Sequence, residues 1–269
     1  MLTVGISMLY ISISYAQSSS TFMGARAVGL AYASSSLQDE WAIFNNPAGL
    51  ANVKESVVAF TYDAMPSFKP FNRMAVAFST PLKMGAVAAG VFRFGDDLYN
   101  EQLVCGAYSN TLGLASLGIK LNYVQYNAQG FGSKQVFSVS FGGIAKLTES
   151  ISIGAHIINI NQPEISTAEK EKLPTILVVG ASAQLSTQTF VTSELEKDLA
   201  HAVRWKTGVE YKPFKKFTFR TGYAVNPSAA YIGFGFRSRQ FQLDYGYQHH
   251  FSTGARHQAT VAYQLKKQK

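Results

Sequence analysis

The chain has one cysteine, little charge for its length and no long hydrophobic run, and each shortage removes a class of protein. Cys105 alone cannot close an internal disulfide, so cross-links do not hold the fold. In its strand context the residue reads as a small apolar side chain rather than a reactive thiol. Charged residues make up 15% of the chain against 47% hydrophobic ones, too apolar a balance for a disordered protein. No segment is long enough to cross a membrane as a helix. The formal charge of +8 is scattered over strand ends and turns rather than gathered on one helix, so nucleic acid is not an expected partner.

Catalytic groupings are scarce as well. His249, His250, Ser252 and His257 share one expected external loop without an acidic orienter or a spaced fourth ligand, so neither a hydrolase nor a metal site is read there. His156 is expected to face the barrel interior as a hydrogen-bonded residue rather than a base. Glu169 to Lys172 reads as a solvated charge run, and Gly233-Phe234-Gly235 lacks the strand-to-helix context that phosphate binding needs. No enzyme signature, metal site or cofactor is expected.

What the chain has is alternation. In Arg239 to Gln248, Phe241, Leu243, Tyr245 and Tyr247 share one face, while Gln240, Gln242, Asp244, Gly246 and Gln248 share the other. Val203, Trp205, Thr207, Val209 and Tyr211 oppose Arg204, Lys206, Gly208 and Glu210 in the same way, and Phe217, Phe219 and Tyr223 oppose Thr218, Arg220 and Gly222. A soluble sandwich also alternates, but here charge recurs on the second face. In lipid every backbone group must be paired, so amphipathic strands span only as a closed sheet with apolar side chains outward. The expected fold is therefore all-β, a transmembrane antiparallel barrel over residues 56–269. Its expected lumen carries Lys120, Asn122, Arg204, Lys206, Glu210, Arg220, Arg237, Gln242 and Asp244.

Period-two segments begin near Ser56, Asn72, Gly85, Glu101, Gly113, Gln135, Ser150, Thr175, Thr187, Ala202, Lys216, Ala230, Arg239 and Arg256. That makes about 14 strands, with about 12 open because Thr187 to Glu196 offers little that would face lipid. Short turns are expected at 146–150, 185–187, 212–215 and 238–239, and longer loops at 64–71, 125–134, 161–173 and 249–255, which places both termini in the periplasm. The short turns are basic (Lys83, Lys146, Lys212, Lys215, Lys216), which suits an anionic leaflet or acidic partner, or simply solvated turns that discourage aggregation. Aromatics towards strand ends, among them Tyr62, Phe78, Tyr123, Tyr211 and Tyr263, are expected in interfacial girdles.

Residues 1–16 (MLTVGISMLYISISYA) read as a secretory signal ending in Ser14-Tyr15-Ala16, without the usual Lys or Arg, or else as a buried first strand. Export of a barrel points to the cell outer membrane, with its lipid and lipopolysaccharide as surroundings.

Residues 17–55 do not alternate. They carry Gly24-Ala25-Arg26-Ala27-Val28-Gly29-Leu30-Ala31, then Gln38-Asp39-Glu40-Trp41-Ala42, then Asn45-Asn46-Pro47-Ala48-Gly49-Leu50. This stretch resembles the N-terminus of the FadL-like outer-membrane barrel superfamily, and within it the PorV/PorQ-type proteins associated with type IX secretion. As a luminal plug the segment makes physical sense. Asn46-Pro47 is expected to fix an extended bend and Gly49 a close approach, with a short helix over 37–44 packing Trp41 and Phe44 on the wall. Arg26 is expected to need a luminal carboxylate, from Glu210 or Asp244.

The PorV/PorQ resemblance implies a barrel that docks secreted, surface or secretion-system proteins at its external loops, for which Met65, Phe68, Phe71, Tyr126 and Phe131 are the exposed aromatic and apolar candidates. The wider FadL-like resemblance implies instead a passive conduit for hydrophobic compounds with the N-terminal segment as its hatch. The short loops and charged lumen are expected to favour docking, since a conduit needs an apolar pocket at its mouth.

Overall fold

The computed structural model describes residues 20–165, 172–198 and 201–265; the signal sequence expected over 1–16 lies outside them. Fourteen strands run antiparallel to their neighbours in chain order and close into a barrel. They are β1 (Val57–Ala64), β2 (Arg73–Pro81), β3 (Ala86–Gly95), β4 (Tyr99–Leu112), β5 (Ala115–Ala128), β6 (Gly132–Lys146), β7 (Ile151–Ile158), β8 (Ile176–Gln184), β9 (Thr189–Asp198), β10 (Arg204–Phe214), β11 (Phe217–Val225), β12 (Ala229–Arg237), β13 (Phe241–His250) and β14 (Gly254–Gln264). Closure is made by β1 on β14, in register from Val57 opposite Gln264 to Ala64 opposite His257.

The alternation of the sequence becomes the two faces of this wall. On β1, Ala59, Thr61 and Asp63 are buried inside while Val58, Phe60 and Tyr62 are exposed outside. An outer belt of such side chains, continued by Val91, Val104, Leu121, Phe137, Leu195, Phe219 and Leu243, suits lipid and would be costly in water. Where the wall must accept proline, β10 breaks register against β11 between Tyr211 and Phe214, around Pro213, which has no amide hydrogen to give the ladder.

β8 and β9, the two strands least evident in the sequence, are both present. On β9 the residues sharing the outer face are Val191, Ser193, Leu195 and Lys197, a weakly apolar set, because Ser193 serves as acceptor for the exposed Trp205 indole at 2.8 Å.

At one end of the barrel every connection between strands is short, at 82–85, 113–114, 147–150, 185–188, 215–216 and 238–240. The opposite end carries the longer connections, 65–72 and 159–175. Two segments expected there as loops are tight turns instead: β5 and β6 meet across 129–131, and β13 and β14 across 251–253. Gly130, Gly132 and Gly254 make this possible by taking positive φ of 82°, 92° and 90°.

The core is the lumen, filled by the N-terminal segment. Helix α1 (Ala25–Gly29) is followed by 3-10 turns at Glu40–Ile43 and Pro47–Asn52, so the single helix expected over 37–44 is only one short turn. Asn46 is extended, as expected, but it also caps the second turn, its Oδ1 accepting from Ala48 N at 3.1 Å with Pro47 as the first residue inside. Met23, Trp41, Ile43, Phe44 and Leu50 pack on Ala59, Ala75, Phe92 and Cys105 of the wall, while Phe22, Val28, Ala31 and Tyr32 pack on Val178, Ala224 and Tyr231.

The wall admits this plug by lacking side chains where the plug's backbone comes closest. A Cβ on Gly118 would lie 2.5 Å from Ala48 N, one on Gly154 2.0 Å from Ser35 O, one on Gly208 2.6 Å from Leu30 Cα and one on Gly246 2.7 Å from Val28 Cβ. Backbone meets backbone around most of the circumference, which only glycine permits.

Candidate functional site

Charged networks of the wall fasten the plug at both of its ends. At the turn end, Arg26 of α1 holds both oxygens of Glu210, through Nε at 2.9 Å and Nη2 at 3.2 Å, and reaches Asp39 at 3.1 Å. Glu210, fully buried, also accepts from Arg220 at 2.7 Å and pairs with Lys212 at 2.9 Å. Of the two carboxylates expected for Arg26, Asp244 goes instead to Arg220, at 2.6 Å, and receives Gln242 at 2.6 Å. Towards the loop end, Lys206 pairs with Glu194 at 2.7 Å, neither being exposed at all, while the other oxygen of Glu194 accepts from Ser34 N and Ser35 N at 2.9 and 2.7 Å. Wall charges thus replace strand partners for the plug's irregular backbone.

The remaining plug residues expected to matter act through shape and backbone bonds. Gly24 takes φ 106° with Trp41 against it, where a Cβ would be 2.7 Å from the indole, and Gly29 lies 3.0 Å from Gly233 Cα by the same measure. Asn45 Nδ2 donates to Met23 O at 3.0 Å, and Gly49 crosses Leu37 O, which a Cβ would meet at 2.3 Å. Arg204 is half-buried and donates to the Tyr231 hydroxyl at 3.2 Å, and Arg237 lies at the turn-end mouth on Gln242. Lys120 faces the interior, 3% exposed.

The plug separates two spaces. Below it, towards the short turns, is a polar cavity of about 600 Å³ lined by Asp39, Glu40, Lys212, Arg237 and Asp244. Above it, at the loop end, is a vestibule of about 840 Å³ with Phe22, Tyr32, Met65, Phe68, Phe71, Phe94, Leu98 and Tyr99 in its wall. A pocket at the mouth with one aromatic side, which the short loops gave no reason to expect, is therefore present, its other side carrying Arg73, Arg204, Lys206 and Arg256. Phe68 and Phe71 were expected to project outward; both keep an exposed side, but their rings stack on each other at 4.9 Å and Phe71 meets Phe94 edge-on at 5.5 Å, so that both line the vestibule. Tyr126 does not join an outer patch: it lies in β5 rather than a loop and packs inside against the core, whereas Phe131 stands alone on its turn, 94% exposed.

Several groups escaped the sequence reading. Asp63 and Arg73, both buried, pair across β1 and β2, and Arg73 also donates to Tyr32 OH at 3.0 Å. Their phase with Ala59 and Ala75, small inner residues, is the signal that could have found them. His156 faces the lumen as expected but without hydrogen bonds: its ring sits edge-on to Phe22 at 5.9 Å, and neither nitrogen has a partner among the described residues. His250 Nδ1 accepts from Ser252 N and Thr253 N at 3.2 and 3.1 Å, while His257 bonds the Tyr245 hydroxyl at 2.6 Å on the outer face, so these residues form no common site.

No protein-family model matches the chain, and none of the curated proteins matches its sequence. Solved structures do. The chain is similar to the CymD monoaromatic hydrocarbon channel, at 14% identity and a TM-score of 0.65 over 93% of this chain and 99% of that one. It is also similar to the Pseudomonas putida toluene transporter TodX, at 12% identity and 0.67 over 93% and 100%. With the Acinetobacter baumannii outer membrane protein Omp33 the values are 6% and 0.53, over 78% and 98%. At these identities the likeness is one of fold, that of a closed outer-membrane β-barrel.

Proposed function

We propose that the protein is an outer-membrane conduit that admits small apolar compounds, of the size of one aromatic ring, at its loop end. The observation that carries this reading is the vestibule of about 840 Å³, walled by aromatic rings and floored by the plug through Phe22 and Tyr32. The aromatic side of this space is what a ligand of this kind needs, and the opposite side is polar, with Arg73, Glu101, Arg204, Lys206 and Arg256. Its fold-likeness to a toluene transporter and a monoaromatic hydrocarbon channel supports the choice. In this reading the short turns and both ends of the sheet face the periplasm, the longer loops face outward, and the apolar belt meets lipid and, in the outer leaflet, lipopolysaccharide.

Docking of secreted or surface proteins at the same loops, as in a PorV/PorQ-type assembly, has less support, because Phe68 and Phe71 stack over the vestibule instead of forming an outward patch with Tyr126. The two readings separate in one experiment. Fluorobenzene is titrated into the purified barrel in detergent and its fluorine resonance followed. Binding is expected, and Phe71→Glu should weaken it by about tenfold or more by placing a carboxylate among the rings. Undiminished binding by that variant, with the barrel still closed by its heat-dependent gel mobility, would remove the vestibule as the entry site.

A further inference from the structure

A second, smaller cavity of about 270 Å³ lies beside the vestibule, with Ser20, Phe22, Glu101 and Arg204 lining both. Its wall is apolar where Phe92, Leu103, Val124 and Ile176 meet, and Lys120 lines it from β5. The acidic residues around it have donors of their own: Glu101 accepts from the Tyr99 hydroxyl at 3.1 Å, Glu196 pairs with Lys206, and Asp198 with His201 at 3.1 Å. Lys120 has none. It is 3% exposed, and no described residue offers it a hydrogen bond or an ion pair. Its neighbours are short of partners too: the Ser140 hydroxyl, directly across on β6, and Asn122 Oδ1, next along the same face of β5, are both buried and unbonded.

A buried ammonium without a counter-ion is costly, and a wall that positions one beside an apolar cavity is complementary to an anion with an apolar body. Size narrows the class. An apolar cavity of about 150 Å³ already holds benzene, so this space has room for one ring and a head group. Arg204, which lines both cavities, keeps its Nε without a partner and adds positive charge to them.

We infer that the inner cavity is a subsite for single-ring aromatic carboxylates, the carboxylate resting on Lys120 with the Ser140 hydroxyl near it and the ring against Phe92, Leu103 and Val124. The inference rests on the vestibule being the entry site and goes beyond it by adding charge recognition to an apolar conduit.

The test is calorimetric titration of the full chain in detergent with benzoate, its neutral analogue benzamide, toluene and decanoate. Benzoate should bind tighter than benzamide by about tenfold or more, the worth of a charge-assisted contact in a desolvated site. Lys120→Met should abolish that preference and leave toluene binding unchanged. Toluene binding with no preference for benzoate would overturn the subsite while leaving the conduit. If neither compound binds, both readings fall. Tighter binding of decanoate than of benzoate would overturn the single-ring assignment. Should Lys120→Met fail to form the heat-resistant barrel, the comparison of benzoate with benzamide on the unaltered chain decides alone.

Discussion

Gly142 and Gly143 are neighbours on β6 that point to opposite faces, which makes them a matched pair for testing how the plug is held. A Cβ on Gly142 would lie 1.9 Å from Asn46 Oδ1 with Pro47 Cδ at 3.1 Å behind it, whereas one on Gly143 would meet nothing closer than Leu117 Cδ2 at 3.6 Å. Gly142→Ala must therefore expel the Asn46 side chain. That side chain caps Ala48 N and donates to Ser35 O and Gly143 O. Buried bonds of this kind cost roughly 1–3 kcal/mol each when a partner is lost, so even partial rescue by water leaves a penalty of about 3 kcal/mol on plug docking. Gly143→Ala carries no such clash and should gain a few tenths to about 1 kcal/mol from the less flexible unfolded chain. Amide hydrogen exchange read over residues 21–52 tells them apart, because 3 kcal/mol is about a hundredfold in local opening. The expected result is fast plug exchange in Gly142→Ala with the wall unchanged, and slow exchange in Gly143→Ala. Equal protection in the two variants would refute the claim that close backbone contact locks the plug.

Two further perturbations address the turn end. Arg26→Ala should loosen the plug there, raising protease cleavage within residues 20–40, but less than Gly142→Ala does, because Glu210 keeps Arg220 and Lys212 as partners and is not left as an unpaired buried charge; unchanged cleavage would count against the ionic latch. Glu40, beside Asp39 at the turn-end cavity, is pushed up to about 7 by burial and by the Asp39 charge. A carboxyl with a raised value favours the docked plug when protonated, so docking should be firmest near pH 4.5 and weaken as pH rises through 7. Glu40→Gln should flatten that profile between pH 5 and 8 in the same cleavage assay, and an unaltered slope would assign it to another group.

The barrel was legible because its wall obeys one rule at every strand. A period of two with apolar residues in one phase needs no knowledge of neighbours, and each of the fourteen strands begins within a few residues of its alternating segment. The turn at 129–131 was misread because polar residues such as Asn127 and Ser133 look like loop while pairing with each other on the outer face of two long strands. The plug was legible only as a break in alternation. Its pairing was half accessible: an arginine among small residues demands a luminal acid, and Glu210 was available, but Arg220 pairs with both Glu210 and Asp244, and that only Glu210 also reaches Arg26 is a matter of depth in the barrel that strand phase does not give. Phe68 and Phe71 show the limit most clearly. A loop aromatic has no phase, so its direction is set by the curvature of the barrel rim and by Phe94 on β3 beneath it, neither of which a single strand pattern contains.

The turn-end cavity and the vestibule share no lining residue, and among the described residues the plug stands between them, pressed against glycines of the wall. A conduit reading therefore makes passage conditional on a rearrangement, and the two fastenings are unequal candidates for yielding. On the β5 to β8 side Asn46, Ser35 and Ala48 meet Gly118, Gly142 and Gly154 at backbone distance, and the one carboxylate bonded there, Glu194 on Ser35 N, is buried with Lys206, which leaves salt little to weaken. On the β10 to β13 side close packing of Leu30 on Gly208 and of Val28 on Gly246 is joined by the charges of Arg26, Glu210, Arg220 and Asp244 beside a polar cavity, with Glu40 as a nearby titratable group. Electrostatic contacts near solvent respond to ionic strength where close packing does not. The α1 half is thus the part of the plug that can swing while the Asn46 half stays seated. Exchange measured in low and high salt should separate them, residues 24–31 opening faster at high salt while 45–50 hold their protection; uniform opening across both stretches would show the plug moving as one body.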